Sequence, residues 1–181
     1  QMGEAQTKLV TALIERGARL ITLLGPPGVG KTTLARAFIA AWREGAGGYR
    51  VITVDAAKAD DEAGFLGELG RALETGLPMP ATTVQRQILS ASLATEPTLL
   101  FVDNLDELSE TLSELCASLV DTDGELILVV TSRRALGQPL EHIFELSPWP
   151  SPSRAADLEH SPAAQLFLQC ARRKRRHFAL S

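Results

Sequence analysis

The sequence predicts an α/β fold in which a parallel β-sheet of about five strands carries helices on both faces. Three observations predict it. Short apolar runs rich in branched residues alternate along the chain with amphipathic segments of helical spacing. The runs are continuously apolar rather than alternating, which is typical of strands covered on both faces. The chain has 181 residues, enough to bury such a core without a disulfide or a metal.

The first part of the chain predicts three helices and two strands. The helices are predicted from apolar residues spaced three or four apart, as in Leu34, Phe38 and Trp42. The strands are predicted from the apolar runs RLITLLG and VITVD. In chain order these elements are an amphipathic helix over 4–16 (with Leu9, Val10, Leu13 and Ile14 at helical spacing), a strand over 19–25, a helix over 31–43, a strand over 51–55 and a helix around 65–73.

The second part continues the alternation. In chain order it predicts a helix over 83–94 with Val84, Ile88 and Leu93 inward, a strand over 98–103, a helix on Leu108, Leu112, Leu115 and Leu119, a strand over 125–132 and a short strand over 142–146. Helices therefore separate most of the strands, as parallel pairing requires.

A change of composition after Leu146 predicts a domain boundary. The segment SPWPSPSR contains three prolines in eight residues. Ser161-Pro162 then has the pattern of a helix start, and Ala164, Phe167 and Cys170 lie on one apolar face of that helix. We predict a main domain over 1–147, followed at 148–181 by a linker and the first helix of a truncated second domain. We expect the chain to be part of a longer protein.

The segment GPPGVGKTT carries the strongest functional signal. It fits the pattern G-x-x-x-x-G-K followed by Ser or Thr, and it lies between a predicted strand and a predicted helix. Backbone N–H groups of such a loop, together with the helix N-terminus, bind phosphate. The predicted nucleotide-binding residues are Gly25, Pro26, Pro27, Gly28, Val29, Gly30, Lys31, Thr32 and Thr33. Lys31 would reach the β- and γ-phosphates and Thr32 would bind Mg²⁺. The alternative is a glycine-rich turn without a ligand.

Acidic residues after the third strand are candidates for metal binding and hydrolysis. Asp103 ends that strand, where P-loop enzymes place the acid of the magnesium shell; capping of the next helix is its alternative role. Asn104 occupies the position at which many ATPases have a glutamate. An asparagine can orient a water but cannot take its proton. Asp106 is the preferred hydrolytic base, with an N-cap as the competing role. We therefore expect tight nucleotide binding and slow hydrolysis.

The fourth strand ends in Thr131, Ser132 and Arg133, beside the predicted phosphate loop. A hydroxyl or a guanidinium there can contact the γ-phosphate. Arg133 is the better candidate because arginine pairs with phosphate in a fork, although a solvated arginine at a strand end is the simpler interpretation. Arg134 is assigned that simpler role.

Charge and composition limit the partners. The net charge is −4 and the isoelectric point about 5.4, so the chain as a whole is not a polyanion binder. A basic block over 172–176 is compatible with nucleic acid binding, but such blocks also occur on the solvated ends of helices. No apolar run approaches the roughly 20 residues of a membrane span. Cys116 and Cys170 read as buried free thiols, which suits a reducing cytoplasm.

Four segments together resemble the nucleotide-binding domain of STAND-class signalling ATPases, in particular the bacterial group attached to LuxR-type or SARP-type transcriptional regulators. The segments are GPPGVGKTTLA, LLFVDNLDEL, LILVVTSRR and SPAAQLFLQCARR, and the resemblance covers about 20–180. It implies a P-loop NTPase three-layer sandwich that binds ATP or ADP with Mg²⁺. It further implies Lys31 and Thr32 as Walker A residues, Asp103 as the Walker B acid and Arg133 as the arginine that contacts the γ-phosphate.

The resemblance also implies a switch, in which the bound nucleotide sets the packing of a helical arm that starts after Pro148. Protein partners or self-assembly are expected of the full-length protein, and nucleic acid only through domains outside this chain. The chain departs from the family in lacking a G-R-E-type segment before the first helix. An AAA+ remodelling ATPase, a P-loop kinase for a small acceptor and a pure interaction module remain alternatives. ATP rather than GTP rests on the resemblance alone.

Overall fold

The computed structural model describes residues 2–45, 48–75, 82–105, 110–121 and 124–148. The helices in this part of the chain are α1 (Met2–Glu15), α2 (Lys31–Gly45), α3 (Glu62–Ala72), α4 (Thr82–Leu93) and α5 (Glu110–Val120). The strands are β1 (Leu20–Leu24), β2 (Arg50–Asp55), β3 (Thr98–Asp103), β4 (Leu126–Ser132) and β5 (Glu141–Glu145). A short 3-10 turn, Ala56–Lys58, follows β2. The predicted order of helices and strands is therefore confirmed.

The five strands form one parallel sheet in the order β2-β3-β4-β1-β5. Each connection between β1 and β4 contains at least one helix, as parallel neighbours require. All strands point the same way, so their carboxyl ends lie along one edge of the sheet. The α/β fold with about five parallel strands is confirmed.

The core lies in two layers, one on each face of the sheet. On one face α1 and α2 pack against each other and cover β1, with Val10 and Phe38 fully buried. On the other face α3, α4 and α5 bury Phe65, Leu89 and Leu115. The helices on both faces explain why β3 and β4 are buried along their whole length. This is the predicted three-layer arrangement.

The prediction of strands covered on both faces is wrong for β5. This strand lies at an edge of the sheet, and its Ile143 is 51% exposed. A mixed apolar and charged segment such as EHIFE is typical of an edge strand, which contacts fewer neighbours than a central one.

Two residues predicted on the apolar faces of helices, Val84 in α4 and Leu9 in α1, are exposed. In α4 the predicted Val84 is 45% exposed, whereas Gln85 and Leu89 are buried. Leu93, also predicted inward, is buried, so the error concerns the first turn of α4, where one residue corresponds to about 100° of rotation. In α1 Leu9 is 55% exposed, whereas Val10 is buried and Leu13 and Ile14 pack against the core as predicted. Packing against the neighbouring helix decides the face in both cases.

Cys116 is a free cysteine on the buried face of α5, and burial raises the pKa of its thiol to about 12.

Residues Gln1–Leu146 cluster as one compact unit. The linker, the helix predicted after Ser161, Cys170, the basic block and Leu108 lie outside the described residues, so the domain boundary stays a prediction. None of the described helices is both long enough and apolar enough to cross a lipid bilayer.

Candidate nucleotide-binding site

The segment 25–33 comprises the loop that joins β1 to α2 and the start of α2, and we call it the cradle. Its backbone has the conformation of a phosphate-binding loop. Gly28 and Gly30 adopt φ angles of 77° and 102°, in the left-handed region. Residues with a Cβ rarely adopt such angles, so glycine is required by the chain conformation at both positions. The helix then begins at Lys31, directly after the second of these turns. Its first N–H groups and its dipole therefore start where the loop curls, which is the geometry of an anion site.

Gly25 serves a different purpose at the start of the loop. A Cβ at this position would lie 2.7 Å from the carbonyl oxygen of Leu146, the residue that follows β5. The Gly25 N–H donates to the carbonyl of Ser132 at 3.2 Å. Gly25 thus allows the chain to pass close to Leu146, and its hydrogen bond to Ser132 is made where the loop leaves the sheet.

Lys31 closes the loop on itself. Its Nζ donates to the carbonyl oxygens of Gly25 at 2.8 Å and Pro26 at 3.1 Å. These contacts hold the ammonium group at the loop, within reach of anything the loop binds. Lys31, which is predicted to contact phosphates, is therefore held beside the loop by two hydrogen bonds.

The hydroxyl of Thr32 connects the cradle to the third strand. Thr32 Oγ1 donates to Asp103 Oδ1 at 2.9 Å, although the two residues are 71 positions apart in the sequence. Asp103 is 6% exposed and also accepts from Thr131 Oγ1 at 2.5 Å. Because β4 lies between β1 and β3, Asp103 is not on the strand next to the cradle, and Thr131 fills the position between them. The carboxylate of Asp103 binds two hydroxyls.

Asn104 forms a second group of contacts at the same edge of the sheet. Its φ of 59° lies in the left-handed region, and its N–H donates to Thr131 Oγ1 at 2.9 Å. Its side chain Nδ2 donates to Asp55 Oδ1, the carboxylate at the end of β2, at 3.1 Å. The same Asp55 oxygen accepts from the Ala57 N–H at 3.2 Å and caps the 3-10 turn.

Lys31, Thr32 and Asn104 border a cleft of about 520 Å³ at the carboxyl edge of the sheet. The residues that line it are Pro27, Gly28, Gly30, Lys31, Thr32, Thr33, Ala57, Asn104 and Arg133. Arg133 is thus brought to the cradle, whereas the exposed Arg134 is not among the lining residues. Ser132 is buried, and its Oγ accepts from the Arg134 N–H at 3.0 Å.

Not every residue predicted to bind nucleotide lines this cleft. Gly25, Pro26 and Val29 are not among the lining residues, nor is the predicted metal acid Asp103. Val29 packs against the hydrophobic core. Asp106, the predicted hydrolytic base, lies outside the described residues. The loop therefore offers its glycines, Lys31, Thr32 and Thr33 to the cleft.

Sequence reasoning missed Asp55 and the turn after it. A signal for it existed, since β2 and β3 both end in Val-Asp. The two strands are paired so that Asp55 is the register partner of Asp103. Two carboxylates at the same height of neighbouring strands lie at the same edge of the sheet, which only the strand order reveals.

The donor set of the cleft fits Mg²⁺. The described residues contain no cluster of three or more His, Cys, Asp or Glu side chains that could enclose a metal. Magnesium does not need one, because it is usually held by one or two protein oxygens together with phosphates and waters. The hydroxyl of Thr32 and the carboxylate of Asp103 supply two such oxygens side by side.

Several solved structures have the same fold. The chain is similar to Cdc6p from Pyrobaculum aerophilum (TM-score 0.63, 19% identity, 81% of this chain and 45% of that one). It is also similar to a chain of Drosophila ORC bound to DNA (TM-score 0.55, 15% identity, 86% of this chain and 95% of that one). A STAND protein with a tetratricopeptide repeat sensor from Pyrococcus horikoshii gives a TM-score of 0.54 at 14% identity, over 95% of this chain and 25% of that one.

At these identities the similarity concerns the fold. The chain spans less than half the length of the Cdc6p and STAND structures. A search of curated proteins finds no match. The family model described as AAA domain matches residues 14–136, a range that includes the cradle, Asp55, Asp103 and Arg133. With more than half of its length matched by that model, the chain belongs to the AAA domain family of P-loop NTPases.

Proposed function

We propose that the chain is the ATP-binding and slowly ATP-hydrolysing switch domain of a larger signalling or transcription-regulatory protein. The observation that carries this proposal is the hydrogen bond from Thr32 to Asp103. It places a hydroxyl and a carboxylate together at the mouth of a loop whose glycines adopt left-handed angles. A glycine-rich turn without a ligand does not need a buried acid aimed at its first helical turn.

Binding of the phosphates is assigned to the cradle. The backbone N–H groups after Gly28 and the first turn of α2 bind the phosphate oxygens. Lys31 exchanges its two carbonyl acceptors for the terminal phosphates, a stronger acceptor because it is charged. Arg133 approaches from the end of β4 and neutralises the outermost phosphate.

Thr32 and Asp103 are assigned to the metal. Magnesium supplies charge neutralisation of the β- and γ-phosphates when it is bound there. The Thr32 hydroxyl would bind the ion, and Asp103 would hold its water shell. Burial of Asp103 and its hydrogen bond from Thr131 fix the carboxylate in one orientation.

Slow hydrolysis follows from the residue at position 104. The cleft is lined there by a carboxamide, which has no basic group at neutral pH. Asp106 remains our candidate base on sequence grounds alone. A domain that binds ATP well and cleaves it slowly spends most of its time in one nucleotide state, which is what a switch requires.

The switch role is supported by the resemblance to STAND-class ATPases and by the length of the chain relative to its structural neighbours. The chain spans 25% of the STAND protein from Pyrococcus horikoshii, so a nucleotide-binding unit of this size occurs within a much longer protein. We further propose that the segment from Pro148 onwards begins a helical arm that responds to the nucleotide.

Calorimetric titration with ATP, ADP and GTP, each with and without Mg²⁺, tests the proposal. We expect ATP and ADP to bind, ATP affinity to increase with Mg²⁺, and GTP to bind more weakly. Phosphate release should stay well below about 10 s⁻¹, the median enzyme turnover, and should not rise when small acceptors are added. Absence of binding by all three nucleotides would refute the proposal, and acceptor-dependent turnover would favour the kinase alternative.

A further inference from the structure

The pair formed by Asp55 and Asn104 has no assigned role in nucleotide binding. Asp55 ends β2 and Asn104 follows β3, and their side chains meet through the bond from Nδ2 to Oδ1 at 3.1 Å. Asn104 lines the cleft beside Lys31 and Thr32, whereas Asp55 itself does not. Any effect of Asp55 on the cleft is therefore exerted through Asn104.

A carboxylate beside a carboxamide determines which group of the amide, the oxygen or the NH₂, points away from the carboxylate. Asp55 Oδ1 accepts from Asn104 Nδ2, so the NH₂ group of Asn104 faces Asp55. The opposite orientation would place the amide oxygen against the carboxylate oxygen. The carboxamide oxygen of Asn104 is consequently kept as the acceptor that is available to the cleft.

The backbone around Asn104 reinforces this orientation. The residue has a φ of 59°, which asparagine tolerates better than other residues with a side chain. Its N–H donates to Thr131, which in turn donates to Asp103. The main chain is thereby tied to the predicted metal acid and the side chain to Asp55.

We propose that Asp55 is a positioning residue for hydrolysis, which orients the Asn104 carboxamide so that its oxygen accepts a hydrogen bond from the attacking water. This inference rests on the proposed function. In the reaction the water oxygen forms a bond to the terminal phosphorus, and the bond from that phosphorus to the bridging oxygen breaks. Asn104 orients the water without taking its proton, and Asp106, our candidate base on sequence grounds, accepts that proton.

Capping of the 3-10 turn by Asp55 is a structural role that the experiment must separate from positioning. The variant Asp55→Ser does this, because serine caps a helical turn about as well as aspartate. Its hydroxyl is too short to reach both Ala57 and Asn104. Asp61 provides a matched control, since it caps α3 through a bond to the Gly64 N–H at 2.8 Å and does not line the cleft.

The experiment measures ATP affinity by calorimetry and turnover by single-turnover phosphate release, on the whole chain. For Asp55→Ser we expect unchanged ATP affinity and a turnover reduced about 10- to 100-fold, as for a misplaced reacting group. For Asp55→Asn, which keeps a weaker neutral acceptor, we expect an intermediate turnover. For Asp61→Ser we expect wild-type values of both.

Three results would overturn the inference while nucleotide binding stands. They are wild-type turnover in Asp55→Ser, an equal loss in Asp61→Ser, and a wild-type chain that binds ATP without cleaving it. A chain that binds no nucleotide would refute the proposed function itself, and the inference with it. Thermal unfolding of each variant identifies any loss that comes from misfolding.

Discussion

The cradle and the network at the strand ends lie at the same edge of the sheet but are built in opposite ways. The cradle is one continuous segment, and its shape follows from left-handed glycines between a strand and a helix. The network joins Asp55, Asp103, Asn104 and Thr131, which come from the ends of three different strands. The bond from Thr32 to Asp103 connects the network to the cradle. A phosphate site can thus be local in sequence, whereas the groups that would act on the phosphate are brought together by sheet topology.

This difference predicts that substitutions in the two regions change different properties of the protein. Changes in the cradle should alter how tightly nucleotide is held, because its N–H groups and Lys31 bind the phosphates directly. Changes in the network should alter the dependence on Mg²⁺ and the turnover. Variants of the two regions therefore test the comparison itself.

Lys31→Ala should have the largest effect. It removes the one ammonium group of the cradle, and a hydrogen bond to a charged group contributes about 1.5–3 kcal/mol. We expect ATP affinity to fall about 100-fold in calorimetric titration. Arg43→Ala, in the exposed last turn of the same helix, is the control and should bind like wild type. Unchanged affinity in Lys31→Ala would show that the cradle does not hold the triphosphate.

Asp103→Asn should have a smaller effect, confined to the metal. The substitution keeps the shape of a buried side chain that binds Thr32 and Thr131 but removes its negative charge. We expect ATP affinity to fall about 10-fold with Mg²⁺, corresponding to about 1.4 kcal/mol, and to stay near wild type with EDTA. An equal loss under both conditions would assign Asp103 to the structure of the cradle rather than to the metal.

Gly30→Ala tests the conformation of the cradle. The φ of 102° disfavours any side chain, although a Cβ would meet no atom within 4 Å. We expect the free energy of unfolding to fall by about 1–2 kcal/mol in urea titration, because only the backbone conformation is penalised. Gly45→Ala, at the end of α2 and also in open space, should be neutral or slightly stabilising. A neutral Gly30→Ala would mean that this turn is not left-handed in solution.

The same difference explains what the sequence could and could not reveal. The cradle, Asp103 and every strand were predictable, since glycine spacing and apolar runs are local signals. The face of α4 was predictable only at Leu93, because Val84 and Leu89 are both apolar and packing against α3 places Leu89 in the core. The pair of Asp55 and Asn104 was not predicted either, since the residues are 49 positions apart. Their contact depends on β2 and β3 being neighbours, which is a property of the sheet order.

Asn104→Gly should have the smallest effect on the free energy of unfolding. It therefore tests whether the network affects turnover without holding the fold together. Glycine adopts a φ of 59° without strain, and the main-chain bond to Thr131 is kept, while the bond to Asp55 is lost. These changes oppose each other, so we expect the free energy of unfolding to change by less than about 1 kcal/mol. Turnover should nevertheless fall, because no carboxamide remains to orient water. A loss of stability larger than that of Gly30→Ala would mean that the network chiefly holds the fold, and the proposed division between holding phosphate and acting on it would then fail.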